Sequence, residues 1–184
     1  YGGNVEILGG DKNIDACMVL FPELIREELI YKDVTEIKKE QFQRGVFIVY
    51  ENYIQSLKPL NDSILIFLDF FQYIEPLIDK YLTIIEDIVN TCSALNKRVY
   101  IKYHPRETSN YVDFMFNTYK NMYKIEKDIP SEAILYNCDN KMCVISSVST
   151  SLITMSKLSV EIKKISLIDV LNIDDMHLKG VYCK

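Results

Sequence analysis

A histidine flanked by two cations is the first feature of this sequence that could do chemistry. His104 lies in the segment Lys102-Tyr103-His104-Pro105-Arg106, at the end of an apolar run. An imidazole can hold and deliver a proton near neutral pH, so His104 is a candidate general acid. Lys102 and Arg106 would favour an anion in the same place. The alternative is a strand end that turns through His-Pro with its charges in solvent.

A cluster of hydroxyl groups is the second such feature. Residues 144–155 place four hydroxyls directly before a predicted helix and a fifth in its first turn. They belong to Ser146, Ser147, Ser149, Thr150 and Ser151. The free N–H groups and the positive dipole end of a helix N-terminus bind phosphate, and hydroxyls add hydrogen-bond donors. Ordinary capping of the helix is the alternative, but capping needs only one serine.

A third segment, Ile-Pro-Ser-Glu-Ala-Ile-Leu at residues 129–135, holds a carboxylate near a proline. The carboxylate of Glu132, two residues after Pro130, could accept two hydrogen bonds from the hydroxyls of a ribose. An acid in the first turn of a helix is otherwise an ordinary feature of helix starts, and Ser131 is the predicted N-cap.

The elements that must position these segments alternate between strands and helices after residue 60. The predicted strands are 63–68, 98–102, 123–127 and 142–146, and the segment 160–168 closes the series. The predicted helices are 74–95, 109–119, 131–137 and 150–158. This alternation predicts an α/β fold, a Rossmann-like parallel sheet with helices on both faces. Such sheets bind ligands at the carboxyl ends of their strands, so the three segments should converge on one edge.

Composition limits the class of protein and its partners. The 184 residues are 48% hydrophobic and 26% charged, which is enough for one full core and a second small lobe. A formal charge of −5 and the lack of a Lys/Arg run argue against a nucleic-acid partner. The five cysteines form no CxxC pair, which predicts no metal site and a reducing, cytoplasmic location. The longest apolar runs are shorter than the roughly 20 residues that cross a bilayer.

Several motifs that mark other reactions are missing from the sequence. It has no G-x-G-x-x-G, no Walker-type G-K-[ST], no G-x-S-x-G and no D-x-D. These absences argue against dinucleotide binding, ATP hydrolysis, a serine hydrolase and a metal-dependent glycosyltransferase.

Together, the segments Lys-Tyr-His-Pro-Arg, Ile-Pro-Ser-Glu-Ala-Ile-Leu and Ser-Ser-Val-Ser-Thr-Ser-Leu resemble bacterial sialyltransferases of the lipooligosaccharide type. Those enzymes share an HP motif and a Ser/Ser-Thr motif with the polysialyltransferases. The resemblance covers residues 62–160 and, less closely, Leu-Phe-Pro-Glu-Leu at 20–24. It implies the carboxyl-terminal half of a GT-B glycosyltransferase, with CMP-sialic acid as donor and a terminal sugar of a bacterial surface glycan, galactose, as acceptor. The transfer would be inverting and would use neither a metal nor a cofactor.

The resemblance also implies roles for the donor-binding residues. His104 would interact with the CMP phosphate and act as general acid on the leaving group. Pro130 and Glu132 would hold cytidine, with Glu132 on the ribose. The neighbours of the histidine that would bind substrate are Lys102, Pro105 and Arg106.

The same resemblance implies roles for the hydroxyl groups and for a catalytic base. Ser149 and Thr150 would bind the phosphate, and the alternative pair is Ser146 and Ser147. An inverting transfer also needs a carboxylate that takes the acceptor proton. In the related enzymes it follows the first strand of this domain, where the chain offers Asp69, Glu75 and Asp79. Glu75 and Asp79 are the preferred candidates, and both have an alternative role as solvated acids at a helix start.

The division of the chain is predicted near residue 60, where Pro59-Leu60-Asn61-Asp62 is typical of a linker. Residues 1–60 would be the irregular end of the acceptor-side domain, and residues 61–184 the domain that binds the nucleotide sugar. The chain begins at Tyr1 without a methionine, which predicts a fragment. Two partners are left open. One is the inner face of the bacterial membrane, which the protein would reach through its other parts, and the other is a second copy of the chain in a homodimer.

Two other functions remain as alternatives at this point. One is a different nucleotide-sugar transferase on the same scaffold, using a Kdo donor or a UDP-sugar. The other is a donor-binding fragment or an interaction module without activity, in which the hydroxyls only cap a helix.

Overall fold

The computed structural model describes residues 13–25, 32–57, 60–138, 141–147, 149–158 and 162–173. The first elements are a parallel pair of short strands, β1 (Ala16–Val19) and β2 (Asp33–Glu36). A 3₁₀ helix (Pro22–Leu24) lies between them, and the helix α1 (Lys39–Ser56) follows.

A five-stranded sheet forms the centre of the fold, and each of its strands is parallel to its neighbours. Its strands are β3 (Ser63–Phe67), β4 (Arg98–Lys102), β5 (Met122–Ile125), β6 (Cys143–Ser146) and β7 (Lys163–Ser166). Their spatial order is β5-β4-β3-β6-β7. The chain adds β4 and β5 on one side of β3, and then adds β6 and β7 on its other side. The boundary between β3 and β6 is therefore the switch point, where doubly wound sheets bind ligands. The predicted α/β fold with a parallel sheet is confirmed.

Helices cover both faces of this sheet. Besides α1, they are α2 (Ile78–Ala94), α3 (Asp113–Thr118), α4 (Ser131–Tyr136), α5 (Thr150–Leu158) and α6 (Ile168–Leu171), with a further 3₁₀ helix (Phe71–Leu77) directly before α2. One apolar cluster contains buried residues of α2, α3 and α6, and the other contains buried residues of α1, α4 and α5.

The strand β3 shows why an unbroken apolar run suits this position. Its side chains alternate between the two clusters, with Ile66 on the side of α2 and with Leu65 and Phe67 on the side of α4. Because successive side chains of a strand point to opposite faces, a central strand that is covered on both faces favours apolar residues at successive positions. The buried Ser63 at the start of β3 donates its hydroxyl to the carbonyl oxygen of Leu60.

Residues 39–56 form a helix with a kink at Tyr50, where φ is −115° and ψ is 19°, whereas the sequence predicted irregular structure before residue 60. Val46 and Ile54 of α1 are buried in the same cluster as Leu135 of α4 and Leu152 of α5. The assignment of residues 1–60 to an acceptor-side domain is not tested by these contacts and stays a prediction.

Several predicted elements differ from the structure at their ends, and the helices show the clearest cases. The helix predicted from residue 74 begins as a 3₁₀ helix with Pro76 inside it, and α2 starts only at Ile78. The helix predicted over 109–119 is limited to α3. Pro130, and not the predicted Ser131, holds the N-cap position of α4.

Within the described residues, no helix combines the length and the apolar character that a membrane span requires.

Candidate functional site

A cavity of about 490 Å³ lies at the carboxyl ends of β3 and β4 and beside the first residues of α4 and α5. It receives residues from all three polar segments, as the topology predicted. Seven of the predicted site residues line it: Lys102, His104, Pro105, Pro130, Glu132, Ser149 and Thr150. Five others do not: Glu75, Asp79, Arg106, Ser146 and Ser147.

The His-Pro pair forms the start of a tight turn at the end of β4. The backbone N–H of Glu107 donates to the carbonyl oxygen of His104 at 2.9 Å, which closes a four-residue turn. Pro105 takes the second position of this turn, where its fixed φ is favourable. The backbone N–H of Arg106 donates to Nδ1 of His104 at 3.2 Å. The turn therefore fixes both the main chain and the ring of the histidine.

The environment of His104 favours the neutral imidazole. Its pKa is lowered by burial and then by the charges of Arg106 and Lys102, while Asp69 and Glu107 oppose this. The ring of Phe70 stacks on the imidazole with 5.4 Å between the ring centroids and 26° between the planes.

Lys102 is buried and links two loops through hydrogen bonds. Its side-chain ammonium donates to the carbonyl oxygens of Tyr103 at 3.3 Å and Lys127 at 3.0 Å, and the residue is only 3% exposed. Burial lowers its pKa, against the charges of Glu132 and Asp128. Lys102 thus joins the loop after β4 to the loop after β5, and it contributes positive charge to the wall of the cavity.

Glu107 supports the site from outside the cavity lining, and the sequence did not reveal it. Its Oε2 accepts from the N–H of Phe71 at 2.9 Å, and its Oε1 accepts from the N–H groups of Thr108 and Ser109 at 2.9 and 2.8 Å. The buried carboxylate thereby joins the loop after β3 to the turn that carries His104. Burial alone would raise the pKa of Glu107, but the hydrogen bonds from Ser109, Phe71 and Thr108 outweigh it and lower the pKa.

Among the three acids that the sequence offered as a base, the structure places Asp69 in the cavity. Asp69 is the second residue after the end of β3, and it is 5% exposed. Its backbone N–H donates to Oη of Tyr81 at 3.2 Å, and its Oδ2 accepts the hydroxyl of Ser147. Glu75 lies exposed in the 3₁₀ helix and Asp79 lies exposed in the first turn of α2, outside the cavity. Position at the carboxyl end of the central strand is the signal that favours Asp69.

Four of the five clustered hydroxyls form two pairs with different surroundings, and the fifth, Ser151, lines the cavity. Ser146 is fully buried, and its hydroxyl donates to the carbonyl oxygen of Phe67 at 2.9 Å. Ser147 is equally buried, and its hydroxyl donates to the carboxylate of Asp69. These two hydroxyls join the end of β6 to the loop after β3. Ser149 and Thr150, in contrast, line the cavity at the start of α5.

Ser149 also caps α5. Its Oγ accepts from the N–H of Ser151 at 3.3 Å, and its carbonyl oxygen accepts from the N–H of Leu152 at 3.0 Å. The predicted serine cap is therefore present. Because the helix N-terminus and the hydroxyls of Ser149 and Thr150 meet here, this end of the cavity suits an anionic group.

Glu132 and Pro130 line the cavity at the start of α4. The hydroxyl of Ser131 donates to Oε2 of Glu132 at 3.1 Å. Its carboxylate remains an acceptor for further donors, since an ionised carboxylate has about four lone-pair sites.

Replacing Ser147 with alanine is expected to lower the free energy of unfolding by about 1–3 kcal/mol, because the buried carboxylate of Asp69 loses a hydroxyl donor. Urea unfolding followed by circular dichroism measures this change. Ser156→Ala is the matched control, since Ser156 is exposed and should change stability by no more than about 0.5 kcal/mol. Equal stability of the two variants would show that Ser147 does not support Asp69.

Within the part of the chain that the structure describes, no three His, Cys, Asp or Glu side chains cluster as they would in a metal site.

Comparison with protein-family models shows that the model described as alpha-2,8-polysialyltransferase matches residues 10–168. The matched range contains every residue that lines the cavity. It supports the predicted sialyltransferase relationship, while the narrower lipooligosaccharide type is not part of this finding. No match was found in the comparison with curated proteins.

Proposed function

Since the chain belongs to the alpha-2,8-polysialyltransferase family, we propose that it transfers sialic acid from CMP-sialic acid to a glycan acceptor. The observation that carries this proposal is the meeting of His104, Glu132, Ser149 and Thr150 in one cavity at the switch point of a parallel sheet. We also propose that residues 61–184 are the donor-binding half of a GT-B enzyme and that residues 1–60 belong to its acceptor side.

The nucleotide is held between the two helix starts in this proposal. Pro130 and Glu132 hold cytidine at the start of α4, with the Glu132 carboxylate on the ribose hydroxyls. Ser149 and Thr150 hold the phosphate at the start of α5, where the dipole favours negative charge. Residues of both helix starts line the cavity, and His104 lines it as well.

The reaction requires compensation of negative charge on the departing phosphate. As CMP leaves, the sugar acquires oxocarbenium character, and the phosphate gains charge. Hydrogen-bond donors that are already in place stabilise that charge at little reorganisation cost. We propose that His104, Lys102 and the start of α5 supply this stabilisation, in an inverting and metal-independent transfer.

Inversion needs a base that takes the proton of the acceptor hydroxyl. We assign this role to Asp69, because it lines the cavity with His104, whereas Glu75 and Asp79 lie outside it. Two acceptors follow from different observations. The motif resemblance suggests a terminal galactose of a lipooligosaccharide, and the name of the matched family suggests a terminal sialic acid. A panel of acceptors that end in galactose or sialic acid distinguishes them.

CMP is expected to raise the melting temperature of the protein by several degrees with EDTA present. A ligand at 100 times its Kd stabilises by about 2.7 kcal/mol, and each kcal/mol is worth about 2–4 °C for a protein of this size. Differential scanning fluorimetry with CMP, UMP, UDP, AMP and GMP measures the preference. Ser149→Ala should reduce the CMP shift, and Ser147→Ala, although less stable, should retain it.

Two outcomes would count against the proposal. Preference for UDP would favour a UDP-sugar transferase, and indifference to every nucleotide would favour an interaction module. CMP-Kdo shares its nucleotide with CMP-sialic acid, so a turnover assay with both donors is needed to separate them. Location at a membrane and dimer formation stay predictions.

A further inference from the structure

The two ring nitrogens of His104 have different roles in the structure. Nδ1 accepts a hydrogen bond from the backbone N–H of Arg106 at 3.2 Å. A nitrogen that accepts a hydrogen bond carries no proton, so this contact assigns the proton of the neutral ring to Nε2. Protonation of Nδ1 would set two N–H groups against each other and remove this hydrogen bond.

The surroundings of the ring also disfavour the imidazolium. Lys102 and Arg106 place positive charge near it from β4 and the turn, and burial adds to their effect. The carboxylates that face it are Asp69 and Glu107, and their opposing effect is the smaller one, since the net shift of the His104 pKa is downward. Phe70 covers one face of the ring and limits its rotation.

We propose that His104 acts as a neutral imidazole whose Nε2–H donates a hydrogen bond to the leaving phosphate, without transferring a proton to it. This inference rests on the proposed sialyl transfer and specifies how the site performs it. It makes the histidine a fixed electrostatic donor, comparable to one N–H group of an oxyanion hole.

The reaction balances without a proton from His104. The bond between the anomeric carbon and the phosphate oxygen breaks, and both electrons leave with the oxygen. The acceptor oxygen forms the new bond to the anomeric carbon, and its proton passes to the carboxylate of Asp69. CMP departs as a dianion, which is a stable form near neutral pH because the second pKa of a phosphate monoester is about 6.

Histidine-selective ¹⁵N NMR tests the protonation state directly. The sequence contains two histidines, His104 and His177, so a His177→Gln variant assigns the signals. Long-range ¹H–¹⁵N spectra at pH 7.5, with and without CMP, are expected to show the neutral Nε2–H tautomer of His104 in both states. An imidazolium in the CMP complex would overturn the inference while leaving the proposed function intact. Spectra that CMP does not change at all would overturn both.

Kinetics give a second, independent test. The glutamine amide of His104→Gln can donate a hydrogen bond but cannot act as an acid, and the side chain is long enough to bring its nitrogen near the position of Nε2. This variant should keep kcat/KM within about tenfold of the unmodified enzyme, whereas His104→Ala should lose about 10²–10³-fold. The unmodified enzyme should show a flat kcat/KM between about pH 7 and pH 9, because a neutral donor does not titrate there.

Proton transfer by His104 predicts the opposite pattern. The kcat/KM of the unmodified enzyme would then fall about tenfold for each pH unit above the pKa of the histidine, and that slope would overturn the inference. If both variants are inactive through distortion of the site, the pH profile of the unmodified enzyme still decides. A flat profile supports the neutral donor.

Discussion

Glu107→Ala is expected to destabilise the protein by about 3–5 kcal/mol, a large part of the 5–15 kcal/mol that stabilises a typical domain. The substitution leaves the N–H groups of Phe71, Thr108 and Ser109 without their acceptor. Since Glu107 is 5% exposed, water replaces its carboxylate poorly. Urea unfolding at neutral pH measures the loss, with Glu126→Gln on the exposed loop after β5 as the control.

Glu107→Gln separates the hydrogen bond to Phe71 from the hydrogen bonds to Thr108 and Ser109. The amide oxygen can still serve Thr108 and Ser109, but the amide nitrogen then faces the N–H of Phe71, so the tie between the two loops is lost. We expect a smaller loss of about 1–3 kcal/mol. Equal stability of the unmodified protein and both variants would contradict the role assigned to Glu107.

The pH dependence gives a further check of the same interaction. The pKa of Glu107 in the folded protein lies below its ordinary value of 4.5. Its stabilising contribution is therefore fully present above that value and is lost as the pH falls through the folded-state pKa. Acid titration should destabilise the unmodified protein more steeply than Glu107→Gln, which has no proton to take up at this position.

The arrangement of the sheet could be predicted because local patterns and topology agree. The apolar run of β4 and the spacing of apolar residues in α5 give bounds that match the structure. The convergence of three segments followed from a rule about parallel strands, which needs no knowledge of side-chain contacts.

The helix α1 could not be predicted in the same way, because its stability depends on distant contacts. Its sequence contains the run Val46-Phe47-Ile48-Val49-Tyr50, and β-branched and aromatic residues of this kind favour a strand. Packing of Val46 on α4 and α5 overrides that preference, although Ile48 and Val49 remain exposed. Tertiary contacts often outweigh local propensity in this way.

The candidate site was predictable in its location and less so in its contacts. The sequence could not tell which serines face the cavity, since this depends on where β6 ends and how its last residues pack. Ser146 and Ser147 are buried and hydrogen-bond to the segment at the end of β3, whereas Ser149 lines the cavity. Glu107 was missed because its partners are backbone N–H groups, which every residue except proline carries and no sequence pattern marks.

Asp69→Asn is expected to lower kcat by about 10²–10⁴-fold while leaving the CMP-induced thermal shift largely intact. The asparagine oxygen can still accept the hydroxyl of Ser147, so the loop should keep its conformation. The amide cannot take a proton from the acceptor, and the loss therefore falls on turnover. Steady-state kinetics with saturating CMP-sialic acid and acceptor measure it.

Glu75→Gln and Asp79→Asn are the matched variants for this prediction, because each removes one carboxylate that lies outside the cavity. Both should keep kcat within about twofold of the unmodified enzyme, as exposed acids away from a reaction centre usually contribute little. Loss of turnover in either variant, with retention in Asp69→Asn, would move the base to the 3₁₀ helix or to α2. The cavity at the switch point would then bind the donor, and the acceptor would approach from the side of those helices.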